Sequence, residues 1–527
     1  MSSPNPGGPD RMPALPQKMH WYDGFALTLA MPAALIASLG ASIGGLGAWG
    51  ALALWAVSMV LAAAANWIYQ ELAAMFPESS GGIADYAAEA WKSRAPVVGP
   101  IAGIGYWFPW TTALAIYASI VGSLVQAQWF PDQDWSYSFG PATVDFPIAV
   151  GLVVIVLLFG AAMAGLHAAM WVVYVTGGML LVPLTVFVVG PFVSGDWSAA
   201  GLHWNLHGAA GLREALVWLY IMAWTSFAVE VCLTFAPEYK DTVRDTSRAL
   251  RAGVLFCLGV FLLMPLSLSG YLGEAKISAE PVTFYVGAFQ RLIGGGADLM
   301  VVFLIGSLLL IMITGLADGS RVLYHMGVRG TTIRQAGVLT RRGVPARALW
   351  VALVLNVLAI TVLQTPLAII VTGNLGYILT HVLALSGFAL LRRDRPDAAR
   401  PIRLPAVFVP IAWLLAALLL LVLVVGATGF EISGYGGYRE LAVALGVMAA
   451  GVGLWLYRTK VQDRRTPTPS DRACSGAECA PKGARGTARP ATTAQQPNDS
   501  AAGFREGAGR GRISAEPGAA STPPAST

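Results

Sequence analysis

The 527-residue chain is poor in charge: Asp, Glu, Lys and Arg make up 12% of it, against roughly a quarter in soluble domains. That deficit excludes an ordinary water-soluble globule. Cysteine is scarce as well, with four in all. Cys232 and Cys257 fall in apolar segments, Cys474 and Cys479 in a polar tail. Their spacing, with no histidines nearby, excludes a metal site and leaves free thiols. Catalytic signatures are missing too. There is no His-Glu-x-x-His, no Gly-x-Ser-x-Gly and no Asp pair at helical spacing in the apolar segments, which argues against a membrane-embedded enzyme. No segment shows the ten-residue alternation of a membrane barrel strand.

What the chain has instead is apolar length. Hydrophobic residues make up 56% of it, in runs that reach the 20 or so residues a helix needs to cross a bilayer. Spans are expected near 23–45, 49–76, 97–126, 146–165, 168–192, 213–235, 250–272, 298–318, 347–364, 366–391, 406–426 and 439–457, with soft divisions at Gly165-Leu166-His167 and Gln364-Thr365-Pro366. The run near 24–45 is too long for a signal peptide and continues into a second span.

Charge placement orients this map. All 34 Lys and Arg are assigned to loops or tails: 19 to alternate loops and the N-terminal arm, 11 to the C-terminal tail, and only Arg213, Lys276, Arg291 and Arg439 to the opposite loops. The positive-inside rule then places both termini in the cytoplasm of a multi-pass plasma-membrane protein. The net charge of +5 reflects loops facing an anionic leaflet, not nucleic acid. Three regions follow: a polar arm at 1–20, a 12-helix membrane domain at 21–457, and a tail at 458–527. The tail has too few large apolar residues to fold and is read as disordered.

Two spans carry small and polar residues at mid-membrane. The first holds Ala30-Met31-Pro32-Ala33-Ala34 and then Ala37-Ser38-Leu39-Gly40-Ala41-Ser42; the sixth holds Trp224-Thr225-Ser226-Phe227-Ala228-Val229-Glu230. They correspond if the first ten helices divide five and five. Interruptions at matching places in two halves point to a transport site. The register in the first span stays open between 32–35 and 37–42. Glu230 is the most telling residue, a carboxyl near the middle of a span with no basic residue in any span to neutralise it. Such groups are costly and usually functional, and low dielectric favours the neutral form, so Glu230 is a candidate proton carrier. The competing reading is a protonated Glu that bonds a neighbouring helix. In the tenth span Asn374, Tyr377 and His381 share one face near Thr380, either as a switchable group or as interhelical hydrogen bonds. Asp23 reads as an ordinary helix-start acid.

Three windows carry a family resemblance. Glu71-Leu72 with Pro77 and Ser80-Gly81-Gly82 closes the second span, where Pro and the Gly pair turn the chain along the membrane surface. Ser226 to Glu230 is followed by Pro237-Glu238-Tyr239-Lys240-Asp241 and Arg244. Ser320-Arg321, Arg329-Gly330 and Gly343-Val344-Pro345-Ala346-Arg347-Ala348 form a loop after the eighth span. Over about residues 20–460 the chain resembles amino-acid permeases of the amino acid–polyamine–organocation (APC) superfamily. It departs from the family pattern in three places. Asp241-Thr242 stands where Asn-Pro is usual, Ala228 where Gly is usual, and the first span has no Gly-x-Gly.

The resemblance implies an all-α integral membrane fold of 12 transmembrane helices, a five-plus-five inverted repeat (LeuT-like) with two extra C-terminal helices. It implies a secondary transporter for amino acids or related amines working by alternating access. The substrate would lie between the broken first and sixth helices, against Pro32, Ala33, Ala34, Ala37, Ser38 and Gly40, and against Trp224, Ser226, Phe227 and Ala228. Trp110 and Thr111 of the third helix would line it. Glu230, Tyr106, Tyr377 and His381 would couple or gate. The missing Gly-x-Gly keeps a second reading open, a carrier of a polyamine or other organocation. A solute sensor or membrane enzyme is the reading from another class. No cofactor or metal is expected. Some relatives place a lysine in the fifth helix, but Trp171 to Phe192 contains none. Ser307 and Thr314 could meet sodium, yet such hydroxyls routinely bond their own helix; a proton is the favoured coupling ion.

Overall fold

A computed structural model describes residues 17–464; the expectations for the rest of the arm and tail, with Cys474 and Cys479, lie outside these residues. In chain order the helices are α1 (Trp21–Thr28), α2 (Ala30–Leu35), α3 (Leu39–Met75), α4 (Gly82–Trp91) and α5 (Val98–Trp129). After a hairpin of β1 (Ser136–Phe139) and β2 (Ala142–Asp145) come α6 (Phe146–Met163), α7 (Leu166–Val193) and α8 (Gly208–Phe227). Then follow α9 (Thr242–Leu272), α10 (Glu274–Ala279), α11 (Phe284–Ile293), α12 (Ala297–Arg329), α13 (Ala346–Val362), α14 (Pro366–Asp394), α15 (Phe408–Thr428), α16 (Phe430–Ser433) and α17 (Tyr438–Tyr457). Among the described residues, ten helices are long and apolar enough to cross a membrane.

The punctuation follows local chemistry. Gly165 (φ 113°) separates α6 from α7, and Thr365 caps α14 with Pro366 in its first turn. Spans one and two are joined in α3 across a kink at Gly47, whose φ of 71° suits only glycine. The groups freed by the kink are taken up by the loop beyond. Leu46 O accepts from Asn205 N at 3.1 Å, Trp49 N donates to His203 O at 3.1 Å, and Ala48 N donates to Glu274 Oε1 at 2.7 Å.

Two expectations need correction. The basic residues are not all in loops: Arg251 lies on α9, and Arg321 and Arg329 on α12. Hydropathy stops where charge begins, but these helices run on, because the charges find partners. Arg321 meets Glu238 and Arg329 meets Glu89, while Arg251 Nε donates to Gln70 Oε1 at 2.9 Å. For the same reason Ser320-Arg321 is helical, not part of the loop after the eighth span. Among the described residues, one short strand pair stands outside the helices. The β1–β2 hairpin (Ser136 opposite Asp145) intervenes, and Asp145 then caps α6 by accepting from Ile148 N.

Helix α5 is deeply buried and packs on α12 and α14. Close approach comes from small residues: a Cβ on Gly105 would lie 2.5 Å from Gly376 O of α14. One end of the molecule gathers the basic residues. There Glu71 is buried and bonds Arg392 Nε at 2.6 Å, Arg400 Nε at 3.2 Å and Leu404 N at 2.8 Å. This basic face also carries α4, whose Asp85 meets His325 Nε2 at 2.5 Å.

Candidate functional site

Two helices are interrupted near the centre. In the first, Pro32 lacks an N–H and leaves Thr28 O to the Cys257 thiol at 3.9 Å, yet Ala30–Leu35 stays helical. The break falls at Ile36–Ser38, so the register lies in the second of the two windows. Its N–H groups turn back to Ala33, Ala34 and Leu35 in three-residue steps. Two carbonyls at the break are covered by tyrosines: Tyr117 OH donates to Ala34 O at 3.1 Å, and Tyr285 OH to Ile36 O at 3.2 Å. Beyond it, Leu39, Gly40 and Ala41 open α3, where a helix's first N–H groups have no partner in their own helix.

The second interruption follows α8. From Ala228 to Glu238 the chain winds as a 3-10 helix of 11 residues, far beyond the usual three or four. Pro237, near its end, has no N–H to give. This segment carries Glu230, whose side chain is buried and accepts from Tyr377 OH at 2.5 Å through Oε1.

Around Glu230 the rings form a continuous set. Trp110 meets Trp224 at 5.5 Å between centroids, Tyr106 meets Tyr377 at 6.1 Å, and His381 contacts both Tyr377 at 4.6 Å and Phe227 at 5.0 Å. Many polar atoms here are buried without a hydrogen-bond partner: Glu230 Oε2, Trp110 Nε1, Trp224 Nε1, Tyr106 OH, His381 Nε2 and Asn374 Oδ1. The Trp110 indole lies beside Glu230 without closing a bond. Buried polar groups are normally paired, so such a cluster calls for a ligand or water.

The structure therefore brings together Tyr106, Trp110, Trp224, Phe227, Glu230, Tyr377 and His381. The sharing of one face by Asn374, Tyr377 and His381 serves interhelical bonding. Asn374 donates to Tyr220 O at 2.7 Å, and His381 Nδ1 pairs with Tyr69 OH at 2.7 Å. Other expected residues are placed differently. Ser226 bonds Ser58 of α3 and Met222 O. Thr111 faces Gly319 of α12. Pro32, Ala33 and Ala34 lie within helical turns and Ala228 opens the 3-10 segment, all fully buried or nearly so. Ala37 and Ser38 sit at the break itself, with the Ser38 hydroxyl unpartnered. Gly40 is roofed by Pro281, whose carbonyl oxygen would be 2.2 Å from a Cβ there. Ser307 bonds its own helix at Leu304 O, and Asp23 caps α1 by accepting from His20 N at 2.7 Å.

One site residue was missed. Asp318 of α12 is fully buried, accepts from Thr234 Oγ1 at 2.5 Å, and leaves Oδ2 unpartnered. The signal is a carboxylate in the run Leu316-Ala317-Asp318-Gly319, but it stands at the last residue of the expected span. Toward the basic face, Arg321 Nε meets Glu238 Oε1 at 3.0 Å and stacks over Phe235 at 4.5 Å. Toward the opposite face, α10 and α11 cover the first break through Pro281 and Tyr285.

Apolar helices around an enclosed polar centre, with two of them interrupted beside it, define an integral membrane protein of the multi-pass helical class. A family model described as amino acid permease matches residues 21–438, and the chain belongs to that family. It is similar to the amino-acid permease RocE of Bacillus subtilis (strain 168), 27% identical over 313 residues, 55% of this chain and 61% of the relative. It is similar to the cadaverine/lysine antiporter of Escherichia coli (strain K12), 24% identical over 322 residues, 60% of this chain and 67% of the relative. The lysine-specific permease LysP of the same strain is 26% identical over 303 residues, 54% of this chain and 58% of the relative. The chain thus spans about three-fifths of the length of RocE and LysP.

Proposed function

We propose that the protein is a secondary transporter that moves amino acids or related amines across the plasma membrane by alternating access. One observation carries the reading: Glu230 keeps a free buried oxygen inside a shell of unpartnered donors and acceptors, beside an interrupted helix. A charged or polar solute would complete those bonds. A positively charged amino group suits the carboxylate, because Arg321, the basic side chain that α12 brings nearest, is taken by Glu238. The half-helix N-terminus at Leu39–Ala41 suits a carboxylate. The relatives named above are permeases and an antiporter for amino acids and an amine, in keeping with this assignment.

In this proposal the membrane domain has 12 spans, the first ten as a five-plus-five inverted repeat, and the basic face is cytoplasmic with both termini. Substrate contacts come from Trp110, Trp224, Phe227, Ser38 and Gly40. Tyr106, Tyr377 and His381 surround Glu230, which carries the coupling proton. The second reading, a carrier of amines without a carboxylate, is favoured by the cover over Gly40. Uptake of labelled lysine into proteoliposomes, competed by its decarboxylated analogue, separates the two. Weaker competition by the analogue supports amino-acid transport; equal potency supports the amine carrier; absence of any uptake or competition contradicts both.

A further inference from the structure

The centre holds a second buried acid besides Glu230. Asp318 is as deeply buried as Glu230, and each keeps one oxygen without a partner. Its position is set by the 3-10 segment itself, since Thr234 donates to Asp318 Oδ1 at 2.5 Å. Glu230 and Thr234 are four residues apart on that segment, about 8 Å along its axis at about 2.0 Å per residue. The two carboxylates therefore occupy successive levels, Glu230 beside α14 and Asp318 on α12. Tyr106 stands between them. Its ring meets Tyr377, the donor to Glu230, and both carboxylates are its electrostatic neighbours. Its hydroxyl is fully buried, lies against Asp318 and, like Asp318 Oδ2, closes no hydrogen bond. Among the described residues Arg321, one turn further along α12, acts on Asp318 electrostatically, but its hydrogen bonds go to Glu238 at 3.0 Å and to Ala317 O at 3.1 Å.

We infer that Asp318 is the second cation-holding residue of this centre, so that the site takes a solute with two separated positive charges, one at Glu230 and one at Asp318. This rests on the reading of the centre as a solute site. The chemical class is an aliphatic diamine or an amino acid with a cationic side chain. A two-charge solute offsets both carboxylates at once, whereas a monoamine leaves one buried and unpaired, which is costly. Asp318 is thus a specificity-determining residue: it selects for the second charge and contributes little to the first.

The test is equilibrium binding to the purified full-length protein, by calorimetry, with diaminopentane and pentylamine as probes. The wild type is expected to prefer the diamine by about tenfold or more, the value of one charge-assisted hydrogen bond. Asp318→Asn should lower diamine affinity to the monoamine level while leaving pentylamine binding within about threefold. Glu230→Gln should weaken both probes. Asp318→Glu keeps the charge and should keep the preference, which guards against a folding defect in the Asn variant. The proposal is overturned if Asp318→Asn retains the diamine preference, or if it weakens both probes alike while Asp318→Glu does the same. Failure of the wild type to bind either probe or lysine would instead overturn the solute-site reading itself, and with it this inference.

Discussion

Glu230 owes its placement to Tyr377, the hydroxyl that donates to it. Tyr377→Phe removes that donor and leaves a buried carboxyl oxygen unpaired, a loss of about 1–3 kcal/mol. Solute affinity measured by calorimetry should drop about tenfold, with the melting temperature changed far less than by a core deletion. Glu230→Gln should lower uptake and counterflow exchange together and flatten the pH dependence of the uptake that remains; an unchanged pH profile would remove the proton role. At this scale the sequence was informative wherever polarity interrupts an apolar run, as at Glu230, or where spacing puts Asn374, Tyr377 and His381 on one face. It was silent where a residue looks ordinary. Tyr69 and Tyr117 are two of 16 tyrosines, and only the fold shows that one holds His381 and the other covers Ala34. Asp318 was lost because Gly319-Ser320-Arg321 resembles the edge of a loop.

Among the elements, the interruptions decide the architecture. Pro32 lies in one of the two windows left open for the break, yet Cys257 takes up the carbonyl it frees and the helix survives. The chain opens four residues later, at Ile36–Ser38, where tyrosines from two other elements cover the exposed carbonyls. Sequence alone could not choose between these registers, because the partners lie far along the chain. The cover from α10 and α11 was equally hidden, since residues 273–297 read as a plain loop. That cover makes a prediction at Gly40. Gly40→Ala sets a methyl 2.2 Å from Pro281 O, a backbone atom, and overpacking of this kind costs about 1–3 kcal/mol. The α10–α11 cover should lift, so that a cysteine introduced at Ser38 reacts faster with an impermeant thiol reagent added from that side. An unchanged rate would show that Pro281 does not seal the break.

The whole molecule is tied together at its basic face, where α4 packs on α14 and α5 and its acids Asp85 and Glu89 reach His325 and Arg329 of α12. Burial pushes the Asp85 carboxyl up, but the His325 imidazole, the Ser79 hydroxyl and the Arg329 guanidinium together outweigh it and hold the group below the ordinary aspartate value. A carboxyl lowered in the folded state stabilises it above the unfolded value, near pH 4, and that stabilisation is lost as pH falls through the folded value. Asp85→Asn should therefore lower the melting temperature at neutral pH, and its gap from the wild type should close as the pH is taken below about 4. The sequence conveyed the class of the molecule, because apolar run length and the bias of basic residues are global signals. It misjudged where the long helices end, because arginines such as Arg321 and Arg329 stay helical once an acid faces them.

The central claim is that a cationic solute is held at the meeting point of the two interrupted helices, against Glu230. The most direct measurement is the melting temperature of the purified protein with and without saturating lysine or diaminopentane, in the wild type and in Glu230→Gln. A ligand that binds only the folded state raises that temperature. The account predicts a clear rise for the wild type with at least one of the two, and little or none for Glu230→Gln. An equal rise in both proteins would place the solute elsewhere and contradict the account.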